Sequence, residues 1–94
     1  MDKRITLLVE IIAAFDFVEK IILFGSRARG DHNPRSDIDL AVLCPKANRH
    51  QWLKIYEAVE MAETLLKIDL IRLDQASSAL KEKVNQEGVV LYER

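Results

Sequence analysis

Asp37-Ile38-Asp39 sets two carboxylates two residues apart, and Gly25-Ser26 lies ten residues ahead of them. The segment from Asp37 to Cys44 alternates in character as a strand does. Strand side chains point to opposite faces in turn, so Asp37 and Asp39 share one face, their Cα atoms roughly 7 Å apart. Two like charges held that way repel, and gathering them at the start of a buried strand is costly unless something positive lies between them. Magnesium suits the position. It prefers hard oxygen ligands and commonly takes one or two carboxylates, leaving its other positions to water and substrate phosphate oxygens. Asp37 and Asp39 are therefore the expected metal ligands, for one or two Mg2+ ions.

Gly25-Ser26 supplies the complementary half. A strand that turns sharply at a glycine and starts a short helix presents unpaired backbone N–H groups to an anion. Ser26 either caps that helix or touches a phosphate. Arg27 and Arg29 follow at once and Arg35 precedes the aspartates, so positive charge surrounds the place where a triphosphate would lie. Deprotonating an incoming hydroxyl beside the metal calls for a third acid. Asp69 is the candidate, near the start of a later predicted strand, Ile68-Asp69-Leu70-Ile71-Arg72-Leu73. Adjacent strands lie about 4.8 Å apart, so Asp69 reaches the pair if the two strands are neighbours in register. Otherwise it pairs with Lys67 or Arg72 in water. Asp74, at the strand end, reads as a turn or capping residue.

This pattern, G-S-RARGDHNPRS-D-I-D with a later K-I-D-L-I, resembles that of the minimal nucleotidyltransferases of the DNA polymerase beta superfamily. Four fixed residues at this spacing would arise by chance in about one chain per thousand of this length. The resemblance implies a polymerase beta-like fold in which Asp37 and Asp39 bind metal and Asp69 completes the acidic triad. Gly25 and Ser26 would hold the phosphates of ATP or another nucleoside triphosphate. It also implies a helical HEPN-type partner, with this chain acting as antitoxin by adenylylating a tyrosine of that toxin. One decoy is set aside: Gly25 and Gly30 have P-loop spacing, but Asp31-His32 follows where that motif requires Lys and then Ser or Thr.

The elements that must position these residues are legible in outline. Ile5, Leu8, Val9, Ile12 and Phe15 fall on one face of a helix. Ile21-Ile22-Leu23-Phe24 is a short β-branched run ending at Gly25, as a buried strand does. Arg29 to Ser36 reads as an exposed loop, and Pro45 ends the strand that follows. Trp52, Ile55, Tyr56, Val59, Ala62 and Leu66 trace a second amphipathic helix, with Trp52 and Tyr56 expected in the core. Ser77 or Ser78 caps a last helix that stops at Gly88, and Val89-Val90-Leu91-Tyr92 forms a final strand. The order predicts an α/β (α+β) fold, a mixed sheet of about four strands flanked by helices, in one domain over residues 1–94.

Composition narrows the function. The 14 basic and 15 acidic residues leave a net charge of -1, so no overall field draws the chain to nucleic acid or membrane. Cys44 is the only cysteine, which excludes an internal disulfide and a Cys-based zinc cluster and fits the cytoplasm. His32 and His50 lack zinc-site spacing. Glu10 and Asp16 interrupt the apolar stretch after Met1-Asp2-Lys3-Arg4, so it reads as mature structure and not as a signal peptide. Nothing approaches the run of about 18 apolar residues that a membrane span needs. A catalytic domain of 94 residues has little sequence left for binding an acceptor, so a partner, in a homo- or hetero-oligomer, is expected to present it. The alternatives are an inactive nucleotide-binding module that neutralises its partner by occlusion and, below it, an antibiotic-modifying nucleotidyltransferase.

Overall fold

Helical spacing in the first residues becomes α1 (Lys3–Ala13), whose Ile5, Leu8 and Ile12 are buried. The Asp2 side chain caps it by accepting from the Arg4 N–H, which satisfies one of the free donors of the first turn. Residues 2–62 and 64–94 are described by the computed structural model. The chain continues as β1 (Lys20–Phe24), a single helical turn α2 (Ser26–Arg29), β2 (Ile38–Leu43), α3 (Arg49–Glu60), β3 (Ile68–Arg72), a 3-10 turn at Leu73–Gln75, α4 (Ser78–Glu87) and β4 (Val89–Glu93).

Among the described residues these strands form one four-stranded sheet in the order β3-β2-β1-β4. The β1/β2 and β1/β4 pairs are antiparallel, whereas β2 and β3 run parallel. A parallel neighbour needs a crossover to bring the chain back to the same end of the sheet, and α3 provides it. Asn48 and Gln51 close a reciprocal capping box at the start of α3, and Ser77 caps α4. Both caps fix where the chain turns from loop to helix.

The period of two along the strands divides the core. Ile21 and Leu23 of β1 and Ile38, Leu40 and Val42 of β2 face one way and pack with α1 and with Ile55 and Val59 of α3. Ile22, Phe24 and Ala41 face the other way, where Val84 of α4 and Leu73 cover them. Burying both faces of β1 explains why that strand reads as an apolar run.

The expected order of elements is the observed one, with two corrections in α3. The helix ends at Glu60 and does not continue to Leu66. Leu66 lies in the approach to β3, where its N–H donates to Thr64 Oγ1, a local bond that competes with helix. Tyr56 was expected in the core and is 42% exposed, because the buried stripe runs through Ile55 and Val59 and leaves position 56 at its margin. Trp52 is partly buried against the core, as expected. No helix among the described residues is long and apolar enough to cross a membrane.

Candidate active site

Register brings the acids together. Asp39 sits opposite Phe24 of β1 on one side and opposite Asp69 of β3 on the other. The neighbouring strands that Asp69 required are therefore present, with the two aspartates paired directly. Asp37 stands immediately before β2 and is exposed. Burial, then the Asp69 charge and a hydrogen bond with Asp69, push the Asp39 carboxyl up to about 6, with a smaller push from Asp37 and a partial offset from Lys83. This is the expected behaviour of carboxylates crowded without a cation: one keeps its proton longer. Asp69 is also 3.6 Å from Lys67 Nζ, in a pair whose members are both exposed and which contributes little. Arg72, the other partner considered for Asp69, is held elsewhere. Its guanidinium donates to the Cys44 and Ala47 carbonyls and to Asp74, and Asp74 also accepts from the Cys44 N–H. Asp74 is thus a brace between β2 and the end of β3.

Gly25 closes the site from the β1 side. Its φ of 74° and ψ of -157° lie in a region essentially reserved for glycine. A Cβ there would fall 2.2 Å from Asp39 Oδ2. Both the backbone conformation and the close approach of the carboxylate therefore demand this residue type. The Gly25 carbonyl accepts from the Ala28 and Arg29 N–H groups, which starts α2. Gly25 is therefore the cap of α2 and Ser26 its first helical residue, so the capping role considered for Ser26 falls to its neighbour. Ser26 is half-buried beside the turn.

The three arginines diverge. Arg27 is 7% exposed, and its guanidinium donates to the Ser36 and Pro34 carbonyls and reaches Asp2 Oδ2. It pins the loop that leads into Asp37, instead of standing free at the turn as the sequence suggested. A buried charge with this many acceptors is satisfied. Asp2, with Arg4 as its main partner and Arg27 as a weaker one, is held well below the usual carboxylate range. Arg29 stays at the turn, paired with Asp31 and Glu87, which raise its guanidinium above its ordinary value. Arg35 is exposed on the loop.

Two residues at the site were not anticipated. Lys83 and Glu87 lie one turn apart on α4. Lys83 lowers the charge burden on Asp39, and Glu87 Oε1 accepts from the Gly25 N–H at 3.2 Å. Their only signal in the sequence is that they flank Val84 on a helix. The acids line neither of two surface cavities, about 390 Å³ between α3 and β3 and about 600 Å³ beside Trp52 and Arg72.

Among the described residues no three His, Cys, Asp or Glu side chains form a ready-made metal cage. The donor set still fits magnesium, which needs only one or two carboxylates and completes its sphere with water and phosphate. A carboxyl pushed up by burial and by anionic neighbours is also one that gains from a cation between them.

Residues 7–94 match the family model described as polymerase beta, nucleotidyltransferase. The chain is 29% identical over 95 residues to the protein adenylyltransferase MntA of Aphanizomenon flos-aquae, spanning 90% of this chain and 63% of that protein. It therefore covers a little under two thirds of that relative. It is 33% identical over 75 residues to a candidate protein adenylyltransferase of Methanocaldococcus jannaschii, spanning 78% of this chain and 75% of that one. A toxin-antitoxin crystal structure with AMP-PNP superimposes with a TM-score of 0.67 and 28% identity, over 98% of this chain and 73% of that one. A complex of tri-AMPylated Shewanella oneidensis HEPN toxin with an MNT antitoxin does so with a TM-score of 0.60 and 26% identity, over 98% of this chain and 69% of the other.

Proposed function

The chain belongs to the polymerase beta nucleotidyltransferase family, and on that premise we propose that it transfers AMP from ATP to an acceptor hydroxyl in a magnesium-dependent reaction. The observation that carries this reading is the contact between Gly25 and the Asp39 carboxylate, with Asp69 in register beside it. It sets a turn suited to phosphates directly against an acidic pair.

In this reading Gly25 and Ser26 hold the triphosphate, Arg29 and Arg35 add positive charge around it, and Arg27 keeps the segment before Asp37 in place. Asp37, Asp39 and Asp69 are the residues that would hold magnesium, and the ion when bound neutralises charge on the phosphates during the displacement. The acceptor oxygen attacks the α-phosphorus, the bond from that phosphorus to the bridging oxygen breaks, and pyrophosphate leaves. Asp69 takes the proton of the acceptor hydroxyl. Most of the rate gain comes from holding the reacting groups in line, because phosphoryl transfer asks little covalent chemistry of the protein.

The acceptor in this proposal is a tyrosine of a HEPN-type toxin, and the chain acts as its antitoxin. Support comes from the similar chain that stands in complex with a tri-AMPylated HEPN toxin. Co-expression with a HEPN-type toxin as partner, followed by intact mass, tests the reading. The partner is expected to gain one or more AMP groups, and Asp39→Asn to lower that gain by about 100-fold or more. If labelled ATP, GTP, CTP and UTP all give no transfer in the complex, or if Asp37→Ala and Asp39→Ala leave transfer intact, the proposal fails. A partner that is neutralised yet unmodified favours occlusion instead.

A further inference from the structure

Glu87, the last residue of α4, meets the Gly25 turn from 62 residues away in the chain. Its Oε1 accepts from the Gly25 N–H at 3.2 Å, and both its oxygens accept from Arg29 Nη1, at 3.3 and 3.2 Å. The side chain is 19% exposed. It is delivered there by packing. Val84 is buried against Ile22 and Phe24 one turn earlier, and the Gly88 N–H closes the helix on the Val84 carbonyl. A Cβ on Gly88 would lie 2.5 Å from Ile22 Cγ2 and closer still to that carbonyl. The end of α4 therefore lies hard against β1, and the reach of Glu87 is set by backbone position.

A carboxylate that takes a backbone N–H and a guanidinium together uses the donors a phosphate oxygen uses. Two anions cannot share them, because the donors are finite and the charges repel. We infer that Glu87 is an internal competitor for nucleotide phosphate: it occupies the Gly25 N–H and Arg29 in the nucleotide-free protein, and a triphosphate binds by displacing it. The inference rests on the reading of the Gly25 turn as the phosphate site. It makes Glu87 a positioning residue that orders the turn and weakens phosphate binding. Affinity is then the intrinsic affinity reduced by the fraction of molecules in which the donors are free.

Calorimetric titration of the full chain and of Glu87→Gln with magnesium-ATP, and separately with adenosine, tests this. Glutamine keeps an acceptor for the Gly25 N–H but surrenders the charge that holds Arg29. Glu87→Gln is expected to bind magnesium-ATP about three- to tenfold more tightly, with binding of adenosine, which carries no phosphate, unchanged. Should Glu87→Gln fail to fold, Glu87→Asp serves in its place, because a carboxylate one methylene shorter loses the turn and shifts ATP affinity in the same direction. Equal or weaker ATP binding by the folded variant overturns the displacement and leaves the nucleotide reading standing. Equal tightening for ATP and adenosine overturns it too, since a general rearrangement would do the same. Absence of ATP binding in both proteins overturns the nucleotide reading and this inference with it.

Discussion

The two faces of β2 make opposite demands on one short stretch of chain. Ile38, Leu40 and Val42 point toward α1 and α3 and are fully buried, and their task is to exclude water. Asp37 and Asp39 alternate with them and point the other way, where α4 leaves the end of the sheet open enough for charge. The closed face supplies stability, and the open face spends some of it: an acid is pushed up to about 6 by burial and by its neighbours, and a glycine is held where other residues would be strained. The strand is rigid because of one face and useful because of the other.

Leu40→Ala should produce the largest effect, and on stability. Leu40 is completely buried, so truncation should cost about 2–5 kcal/mol, read as a lower urea midpoint. A cost below about 1 kcal/mol would make the two faces alike and break the comparison. Gly25→Ala comes next. With φ positive and the new Cβ only 2.2 Å from Asp39 Oδ2, either the turn or the carboxylate must move. Expected are a stability loss of about 2–3 kcal/mol and, on the proposed function, a roughly 100-fold loss of transfer from labelled ATP. Transfer at the level of the parent protein would show that the contact is dispensable.

Asp39→Asn should have the smallest effect on stability and the opposite sign. In the folded protein the Asp39 carboxyl is raised from 3.8 to about 6, so the folded state binds a proton more readily than the unfolded chain across that window. Stability from this group is present below about pH 4, falls as pH rises through about 6, and stays lost at neutral pH. Burial is the largest cause of the shift, Asp69 and Asp37 add to it, and Lys83 opposes it. Allowing for solvent screening of a half-exposed group, the gain on substitution is on the order of 1 kcal/mol, or about 4–8 °C in melting temperature for a domain this size. Metal-free Asp39→Asn should therefore melt higher than the parent protein at pH 7.5 and at the same temperature near pH 3.5. A lower melting temperature at pH 7.5 would show that the acid stabilises the fold.

Much of this arrangement was legible because it depends on local pattern. The period of two placed Asp37 and Asp39 on one face, and Gly25 stood out where a β-branched run stopped. Asp69 was legible only conditionally: the K-I-D-L-I segment reads as a strand, but its neighbour and register are decided by the crossover through α3. Arg27 was misplaced for a related reason. In sequence it looks like any loop cation, and only the return of the chain at Pro34 and Ser36 surrounds it with carbonyls. Tyr56 sits one helical step outside the buried stripe, a rotation that an apolar count does not resolve. Glu87 carried almost no signal, because its partner Gly25 lies 62 residues away in the chain.

The parallel pairing of β2 with β3 has a kinetic consequence. Antiparallel β1 and β2 are joined by a loop, whereas Asp69 reaches Asp39 only across the longer crossover that contains α3, and closing that stretch carries the larger entropic cost. The repulsion of the carboxylates adds to that cost, and apolar burial on the opposite face of β2 opposes it. Until β3 docks, Asp39 has no Asp69 neighbour to hold its proton. The pairing of β3 with β2 therefore extends the sheet and assembles the acidic pair at once.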